Sequence, residues 1–303
     1  YVDNMSYHID TESRVGAVYD ITIWDGKLFV GTNQGVFYIP AANIQDPDIF
    51  EKMEFIDGTQ GQVWGLKVID GTLFCCHNKS LKKIGTDLSV TDQYGINTGV
   101  YNISEVRHKD ADLLAISTYN SLIVVDKETQ QTYTLGSSSE SVVNTLIYHL
   151  DNVWLEHFNR GISRSRLHDG FTDFRSTSSY TKATDSLPYK MRIFKVGGRI
   201  GLVGDGCFYL YDAVTDCIVP DDKLNDCLKN TGNIKHIVHI GGNEFWALSN
   251  TVIYRFFYDG YEAAILESYN LGANLSLVNK YENVHVINDS ASIICLDNGF
   301  LFY

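Results

Sequence analysis

A repeat of about 44 residues constrains the fold of this chain more than any other feature of its sequence. The clearest unit, residues 18–38, reads as three short apolar strands separated by an Asp-Gly turn at Asp25 and an Asn-Gln-Gly turn at Asn33. Both turns are typical of antiparallel hairpins. The same pattern returns at residues 63–84, where Asp70-Gly71 takes the place of the first turn. The chain is therefore expected to repeat one small sheet.

Five further units follow with weaker matches. Measured at the first turn, the units lie 40 to 47 residues apart, at Gly26, Gly71, Ala111, Asn152, Gly198, Gly242 and Asp289. A sheet of three or four alternating strands cannot bury both faces alone, so such sheets stack radially until a ring closes. The 3.6-residue periodicity of a helical solenoid is missing. The sequence predicts an all-β, seven-bladed β-propeller in a single domain, with blades near residues 18–50, 63–90, 100–135, 142–175, 189–220, 234–270 and 281–303 plus 1–10.

The two ends of the sequence predict how the ring closes. The last unit stops at its third strand, residues 300–303, and lacks an outermost strand. Residues 1–10 precede the first unit and place Met5, Tyr7 and Ile9 on one face. We expect this N-terminal strand to complete the seventh blade, because pairing the first and last segments removes an exposed sheet edge.

Charge excludes some classes of function. The formal net charge of −13, from 24 basic and 37 acidic residues, would repel a nucleic-acid backbone. The densest basic group, Lys79, Lys82 and Lys83, is expected to be a solvated turn, so no direct nucleic-acid contact is predicted. No stretch approaches the roughly 18 consecutive apolar residues of a membrane helix. We expect a soluble piece of a longer protein.

Cysteine and histidine patterns do not predict a metal site. The six cysteines contain no C-x-x-C spacing, and Cys217 and Cys227 could pair across a loop, although buried thiols are the commoner case. The nine histidines contain no His-Glu-x-x-His, and His236 and His239 are expected on opposite faces of a strand. Neither a metal nor another cofactor is predicted.

Catalytic motifs are also missing. The sialidase Asp-box and the Gly-x-Ser-x-Gly elbow do not occur. The carboxylate pairs Asp110 with Asp112 and Asp221 with Asp222 could act as acid and base in glycoside cleavage. Each pair is expected in a turn or connection, where Asp accepts backbone hydrogen bonds and stays solvated. The sequence therefore favours a binding function over a catalytic one.

The predicted binding face is the one where the loops before the innermost strands meet the turns between second and third strands. Aromatic rings beside amide and guanidinium groups suit a sugar, and they also suit a protein partner. The candidate ligand-binding residues are Trp64, Tyr94, Tyr101, Tyr119, His157, Arg160, Tyr180 and Tyr189. His157 and Arg160, which flank Asn159, are the strongest candidates, and Trp64 fits blade packing as well as a channel wall. The long connection 167–188 is expected to help cap this face through Tyr180 and Tyr189.

The repeat pattern resembles that of a known family. The unit apolar-x-x-apolar-x-x-x-Asp-Gly-x-Leu-apolar-apolar-Gly-Thr-x-x-Gly-apolar-x-x-Tyr, clearest at residues 18–38, is similar to the regulator-propeller repeat of Bacteroidetes sensor proteins. The resemblance covers essentially the whole chain, and residues 281–300 are similar to the stretch that precedes the family's small triple-tyrosine domain. Only Gly31-Thr32 keeps the end of the family's Trp-Ile-Gly-Thr strand.

The resemblance implies a periplasmic domain of an inner-membrane transcriptional regulator of the one-component or hybrid two-component kind. Such a domain binds an oligosaccharide or other small signal without chemistry, and the full-length protein can be a hybrid histidine kinase. It further implies a homodimer, membrane attachment through segments outside this chain, and signalling by a population shift. Two alternatives stay open: a propeller hydrolase or lyase acting on glycans, and a protein-binding scaffold.

Overall fold

Seven four-stranded antiparallel sheets build the molecule, which confirms the predicted seven-bladed β-propeller. The computed structural model describes residues 4–136, 141–149, 152–158, 160–181 and 185–303. In the first six blades the strands follow the chain from the central channel outward. Neighbouring blades contact each other through their innermost strands, so the ring has one channel lined by the first strand of each blade.

The first three blades have the following strands. Blade 1 contains β2 Val18–Trp24, β3 Lys27–Thr32, β4 Val36–Pro40 and β5 Glu54–Phe55. Blade 2 contains β6 Val63–Ile69, β7 Thr72–His77, β8 Leu81–Ile84 and β9 Val90–Asp92. Blade 3 contains β10 Val100–His108, β11 Ala111–Thr118, β12 Leu122–Asp126 and β13 Thr132–Leu135.

The next three blades repeat this order. Blade 4 contains β14 Val142–His149, β15 Asn152–His157, β16 Ile162–Leu167 and β17 Phe174–Tyr180. Blade 5 contains β18 Arg192–Val196, β19 Arg199–Gly204, β20 Cys207–Asp212 and β21 Cys217–Pro220. Blade 6 contains β22 Ile234–Gly241, β23 Glu244–Ser249, β24 Val252–Tyr258 and β25 Ala263–Asn270.

Blade 7 joins the two ends of the sequence. It contains β26 Val284–Asn288, β27 Ala291–Leu296, β28 Gly299–Phe302 and, outermost, β1 Ser6–Ile9. Ser6 lies opposite Phe302 and Ile9 opposite Gly299, so β1 is antiparallel to β28 and completes the blade as predicted. Gly299 has a φ of +147°, and a Cβ there would lie 2.1 Å from the carbonyl oxygen of His8. Glycine therefore permits the close approach of β1.

Local turn chemistry explains the hairpins. Asp25-Gly26, Asp70-Gly71 and Asp205-Gly206 all have positive φ at both residues, as a two-residue type I′ turn requires. The turn of blade 3 is Lys109-Asp110, so the predicted turn residue Asp112 lies within β11. The side chains of Asp110 and Asp112 accordingly belong to different elements, and they do not form a carboxylate pair in one turn.

The hydrophobic core is divided among the junctions between blades. Each junction of the described structure has its own cluster of buried side chains, with Trp154 between blades 4 and 5 and Trp246 between blades 6 and 7. Cys75, Cys76 and Cys295 belong to these cores, where burial raises the pKa of their thiols. All six cysteines are free, so Cys217 and Cys227 are not bonded to each other.

The helices in the described residues are short. A 3₁₀ turn, Ala41–Asn43, and helix α1, Ile49–Lys52, lie in the outer connection of blade 1, and α2, Asp222–Leu228, follows β21. Asp221 caps α2, since its side chain accepts a 2.7 Å hydrogen bond from the Leu224 amide. Its second oxygen accepts one from the Tyr258 hydroxyl at 2.6 Å. The Asp221 carboxylate is thus structural. In the part of the chain that is described, no helix has the length and apolar character to cross a membrane.

Candidate functional site

A repeated β-bulge starts the innermost strand of five blades. In blades 1, 2 and 3 the strand register shifts after Val18, Val63 and Val100, all of them fully buried. A bulge leaves one residue out of the ladder and re-aims its side chain. The residues so released are Tyr19, Trp64 and Tyr101, followed by Val143 in blade 4 and Lys235 in blade 6.

Five aromatic side chains meet at the mouth of the channel. We call Tyr19, Trp64, Tyr101, Tyr119 and Tyr281 the aromatic cluster. The Trp64 ring lies 4.8 Å from that of Tyr281 and 5.3 Å from that of Tyr101, measured between centroids. Tyr19 meets both Trp64 and Tyr281 at 5.5 Å. These spacings are those of favourable aromatic pairs, so the cluster is a preformed surface.

Hydrogen bonding and close packing hold the aromatic cluster in place. Trp64 donates its indole Nε1–H to the Tyr119 hydroxyl at 2.6 Å. Gly99 packs under the Tyr119 ring, where a Cβ would lie 2.3 Å from the ring atoms. Burial raises the pKa of Tyr281 to about 12, so its hydroxyl is protonated at neutral pH and available as a donor. The aromatic cluster is therefore a rigid surface with the Tyr281 hydroxyl at its edge.

Polar side chains below the aromatic cluster connect adjacent blades by hydrogen bonds. The Asp20 carboxylate, 3% exposed, accepts hydrogen bonds from the Leu66 amide at 2.8 Å and from Asn283 Nδ2 at 2.9 Å. Asn102 donates to Asn144 Oδ1 at 2.5 Å. These contacts tie blades 7, 1 and 2 together, and blade 3 to blade 4. Together with the aromatic cluster they surround a cavity of about 190 Å³, which we call the channel cavity.

A second cavity of about 230 Å³ adjoins the channel cavity between blades 4, 5 and 6 and the loop before β26. We call it the basic cavity, because four cationic side chains line it. Those side chains are Lys190, Arg192, Lys235 and Lys280. Tyr281, Arg192 and Glu156 line both cavities. The two spaces therefore form one continuous recess of the size range of small-molecule sites, roughly 300–1,000 Å³.

The recess lies on the predicted face and is lined by three of the predicted residues. Trp64 and Tyr101 line the channel cavity and His157 the basic cavity. Tyr119 belongs to the aromatic cluster and accepts the Trp64 hydrogen bond without lining either cavity. His157 Nε2 is 2.7 Å from Ser163 Oγ, so its ring is fixed by its own blade.

The other four predicted residues do not line the recess. Tyr94 lines a separate cavity of about 400 Å³, beside Asn97 and Asn120. Arg160 is exposed on the turn after β15, and Tyr189 is 57% exposed in the loop before β18. Asn159 lies outside the described residues.

Tyr180 has a packing role that the sequence did not indicate. It is 4% exposed, stacks on Trp154 at 5.7 Å and donates its hydroxyl to Asp216 at 2.6 Å. Residues 176–180 belong to β17, so the free part of the long connection is shorter than its length suggested. In the structure Tyr180 supports the junction of blades 4 and 5 and does not cap the binding face.

Several residues that line the recess were not predicted from the sequence. Tyr19 follows a buried Val in the same register as Trp64 and Tyr101, and aligning the repeats at that position would have found it. Tyr281, Lys190 and Lys280 come from connections between blades, which share no register with the repeats. Only the folded ring brings them together.

Histidines and carboxylates in the described residues form no cluster able to hold a metal. His236 lines the channel cavity, and burial, followed by the nearby Arg192 charge, lowers its pKa well below the usual value. His239 instead hydrogen-bonds Gly242 on an exposed stretch of the same strand. Ring nitrogens on opposite sides of β22 cannot share one ion.

Glu156 gives the recess a pH-dependent contribution to stability. Its side chain is buried, and burial raises its pKa above the ordinary 4.5, against the opposing effects of Arg192 and the Ile193 amide. Between pH 4.5 and that raised pKa the unfolded chain releases the proton while the folded protein keeps it, so stability falls as pH rises. We expect Glu156→Gln to remove this fall and to be the more stable protein at neutral pH. Urea unfolding of both proteins across this pH range measures the difference.

The exposed Glu128→Gln is the matched control for this experiment, since Glu128 lies in a solvated turn of blade 3. Its stability curve is expected to run parallel to that of the unchanged protein. A Glu156→Gln curve that also runs parallel would contradict the assignment.

The fold is similar to that of several solved structures, although no family model and no curated protein sequence matches the chain. The extracellular domain of BT3049 from B. thetaiotaomicron, named as a hybrid two-component system, gives a TM-score of 0.63 at 16% identity, over 95% of this chain and 40% of that one. The extracellular domain of BT4673 from the same organism gives 0.68 at 12% identity, over 98% and 39%. The chain thus spans about 40% of the length of these neighbours.

A catalytically inactive virginiamycin B lyase from Staphylococcus aureus, solved with quinupristin, gives a TM-score of 0.68 at 12% identity over 98% of both chains. At these identities the likeness concerns the fold. The repeat pattern resembles that of sensor propellers of Bacteroidetes. This resemblance agrees with the structural similarity to the two B. thetaiotaomicron extracellular domains.

Proposed function

We propose that this chain is the extracytoplasmic ligand-sensing propeller of a transmembrane transcriptional regulator and binds a glycan-derived signal in the recess. The observation that carries the proposal is the aromatic cluster at the channel mouth, open to a cavity lined by charged and amide groups. The structural likeness to extracellular domains of two-component systems supports it.

The chemistry of the recess fits a sugar. The C–H faces of a pyranose stack on rings such as Trp64 and Tyr281, while its hydroxyls need donors and acceptors at the edges. Within the described residues the Tyr281 hydroxyl makes no hydrogen bond and so is free to donate. Asn144 and Arg192 line the same cavity. A rigid, half-buried site of this kind binds without large rearrangement of its own side chains.

Signalling requires that ligand binds one arrangement of the whole receptor more tightly than another. We propose that paired propellers in a homodimer provide the two arrangements, with a membrane anchor and an output domain supplied by segments outside this chain. The ligand then shifts the population of the paired state by its difference in affinity. The propeller performs no chemistry and acts from the periplasm.

Tyr281→Ala is expected to weaken sugar binding by at least about 10-fold, because it removes one wall of the stacking platform. The ligand is first found by thermal-shift screening of purified oligosaccharides from plant and host glycans, since a ligand of the folded state raises the melting temperature. Calorimetric titration of that sugar then compares the variants. Tyr261→Ala is the control, because Tyr261 is 80% exposed at the opposite end of blade 6. Equal affinities for both variants would contradict the assigned platform.

A lyase or hydrolase is the second candidate, and the propeller lyase with full coverage of both chains is the observation in its favour. Buried Glu156 beside Arg192 and His236 would be its acid and base groups. Mass analysis of the sugar recovered after incubation separates the candidates. Intact sugar supports the sensor function, whereas cleaved sugar would show that the protein is an enzyme.

A scaffold for another protein is the third possibility. Its melting temperature would be unchanged by every sugar.

A further inference from the structure

The basic cavity concentrates positive charge in a chain whose net charge is −13. Its four cationic side chains come from the loops and strand starts of blades 5, 6 and 7. Three acidic side chains face the same space, Glu156, Asp205 and Glu282. Whether the cavity attracts an anion depends on which of these charges already neutralise each other.

An ion pair in the wall of the basic cavity joins Arg192 to Glu282. Arg192 Nη1 lies 3.1 Å from Glu282 Oε2, and the Glu282 side chain is only 1% exposed. The other carboxylate oxygen accepts a 3.0 Å hydrogen bond from the Lys280 amide. Glu156 accepts from the Ile193 amide. Glu282 therefore balances Arg192, and the lysines face a cavity with Asp205 as its remaining exposed acid.

Lys190 and Lys280 lack acidic partners of their own. In the described structure neither ammonium group forms an ion pair with a carboxylate. Lys190 Nζ lies 5.4 Å from the ring centroid of Phe158, which holds it at the cavity wall. Burial, followed by the neighbouring Lys280 charge, lowers the pKa of Lys190. Two like charges side by side are an unfavourable arrangement that an anion between them relieves.

We propose that the Lys190 and Lys280 pair binds the carboxylate or sulfate group of an acidic oligosaccharide whose sugar ring lies on Tyr281. Lys280 precedes Tyr281 in the chain, and Tyr281 lines both cavities, so the charged group and the stacking surface are neighbours. The cavity of about 230 Å³ has room for one charged sugar unit and not for the surface of a long polyanion. This inference rests on the proposed sugar-binding function and assigns its ligand class.

The test compares charged sugars with their neutral counterparts on the whole chain. Trigalacturonic acid and its methyl ester probe a carboxylate, and neocarrabiose 4-sulfate and its desulfated form probe a sulfate. We expect one acidic member to bind roughly 10- to 100-fold more tightly than its neutral partner, as expected for charge-assisted hydrogen bonds. The preferred pair identifies the anionic group. The difference is expected to shrink at high salt.

The double variant Lys190→Gln/Lys280→Gln is expected to lose this preference, so that the acidic and the neutral sugar bind it with similar affinity. Its melting temperature without ligand should equal or exceed that of the unchanged protein, because a like-charge contact is removed. Lys223→Gln/Lys229→Gln, at two exposed positions in α2 and directly after it, removes the same net charge elsewhere and should keep the preference.

The outcomes separate this inference from the proposed function. Neutral sugars that bind as tightly as acidic ones, with Tyr281→Ala weakening both, would overturn the lysine assignment and leave the sugar sensor intact. If the α2 control variant also lost the preference for the acidic sugar, that preference would come from the net charge of the protein. This result would overturn the assignment to Lys190 and Lys280. Failure of every acidic and neutral sugar to bind overturns both.

Discussion

Deleting residues 1–9 is expected to abolish cooperative folding of the ring. The deletion removes Met5, 6% exposed, and leaves the edge of β28 open beside Phe300 and Leu301, both fully buried in the junctions with blades 1 and 6. Each such side chain contributes roughly 1.5–3 kcal/mol by full burial, so the three together contribute up to roughly 4.5–9 kcal/mol. A typical domain is stable by only about 5–15 kcal/mol. Urea unfolding followed by tryptophan fluorescence and circular dichroism measures the result.

A permuted chain is the matched control for the deletion. Ser6 lies opposite Phe302, so residues 4–9 can follow Tyr303 through a short glycine-rich turn and form the same outer strand, as the fourth strand does in the other blades. This chain, beginning at Asp10, is expected to regain a cooperative transition. A deleted chain that unfolds at the same urea concentration as the full chain would show that β1 does not close the ring.

Asp20→Ala is expected to destabilise the folded protein by about 3–5 kcal/mol, because the variant leaves the buried Leu66 amide and the Asn283 side chain without their acceptor. Asp20 accepts hydrogen bonds from the Leu66 amide and from Asn283, and Lys67 Nζ lies 3.7 Å away. These partners belong to blades 2 and 7, so one carboxylate joins three blades. The free energy of unfolding in urea is the measurement.

Asp57→Ala is the control for Asp20→Ala, since Asp57 is exposed and its side chain forms no hydrogen bond or ion pair with the other described residues. Its effect should stay within about 0.5 kcal/mol. Asp20→Asn should fall between the two, because an amide replaces one accepting oxygen with a donor. If Asp20→Ala were as harmless as the control, the carboxylate would have no part in joining the blades.

The fold was predictable because its signals are local. Asp25-Gly26, Asp70-Gly71 and Asp205-Gly206 adopt left-handed turns by their own backbone preferences, and each fixes a hairpin without help from the rest of the chain. Repetition of such hairpins then leaves a ring as the way to bury both faces of every sheet. In blade 3 the turn was predicted around Ala111, whereas the structure has it at Lys109-Asp110. The difference arises because Lys109 adopts the positive φ of the turn.

The site was only partly predictable because it depends on long-range packing. Trp64 and Tyr101 could be placed because they start repeats, and their strands carry them to the channel. Tyr180 ends an outer strand at a similar height, but Trp154 and Asp216 bury it, and no local pattern reports that contact. Lys190 and Lys280 are 90 positions apart in the chain, and a single repeat cannot show that they meet.

The bulge that starts the innermost strand in five blades separates the residues available for ligand contact from those that hold the blade. The residue it releases takes no part in the inter-strand register, while the buried Val before it in blades 1 to 3 keeps its place in the core. Exchanging Tyr19, Trp64 or Tyr101 therefore changes what the channel mouth displays without re-pairing a strand. A ring built in this way can change its ligand by single substitutions at equivalent positions, one blade at a time. A combinatorial library for new specificities should therefore vary these positions.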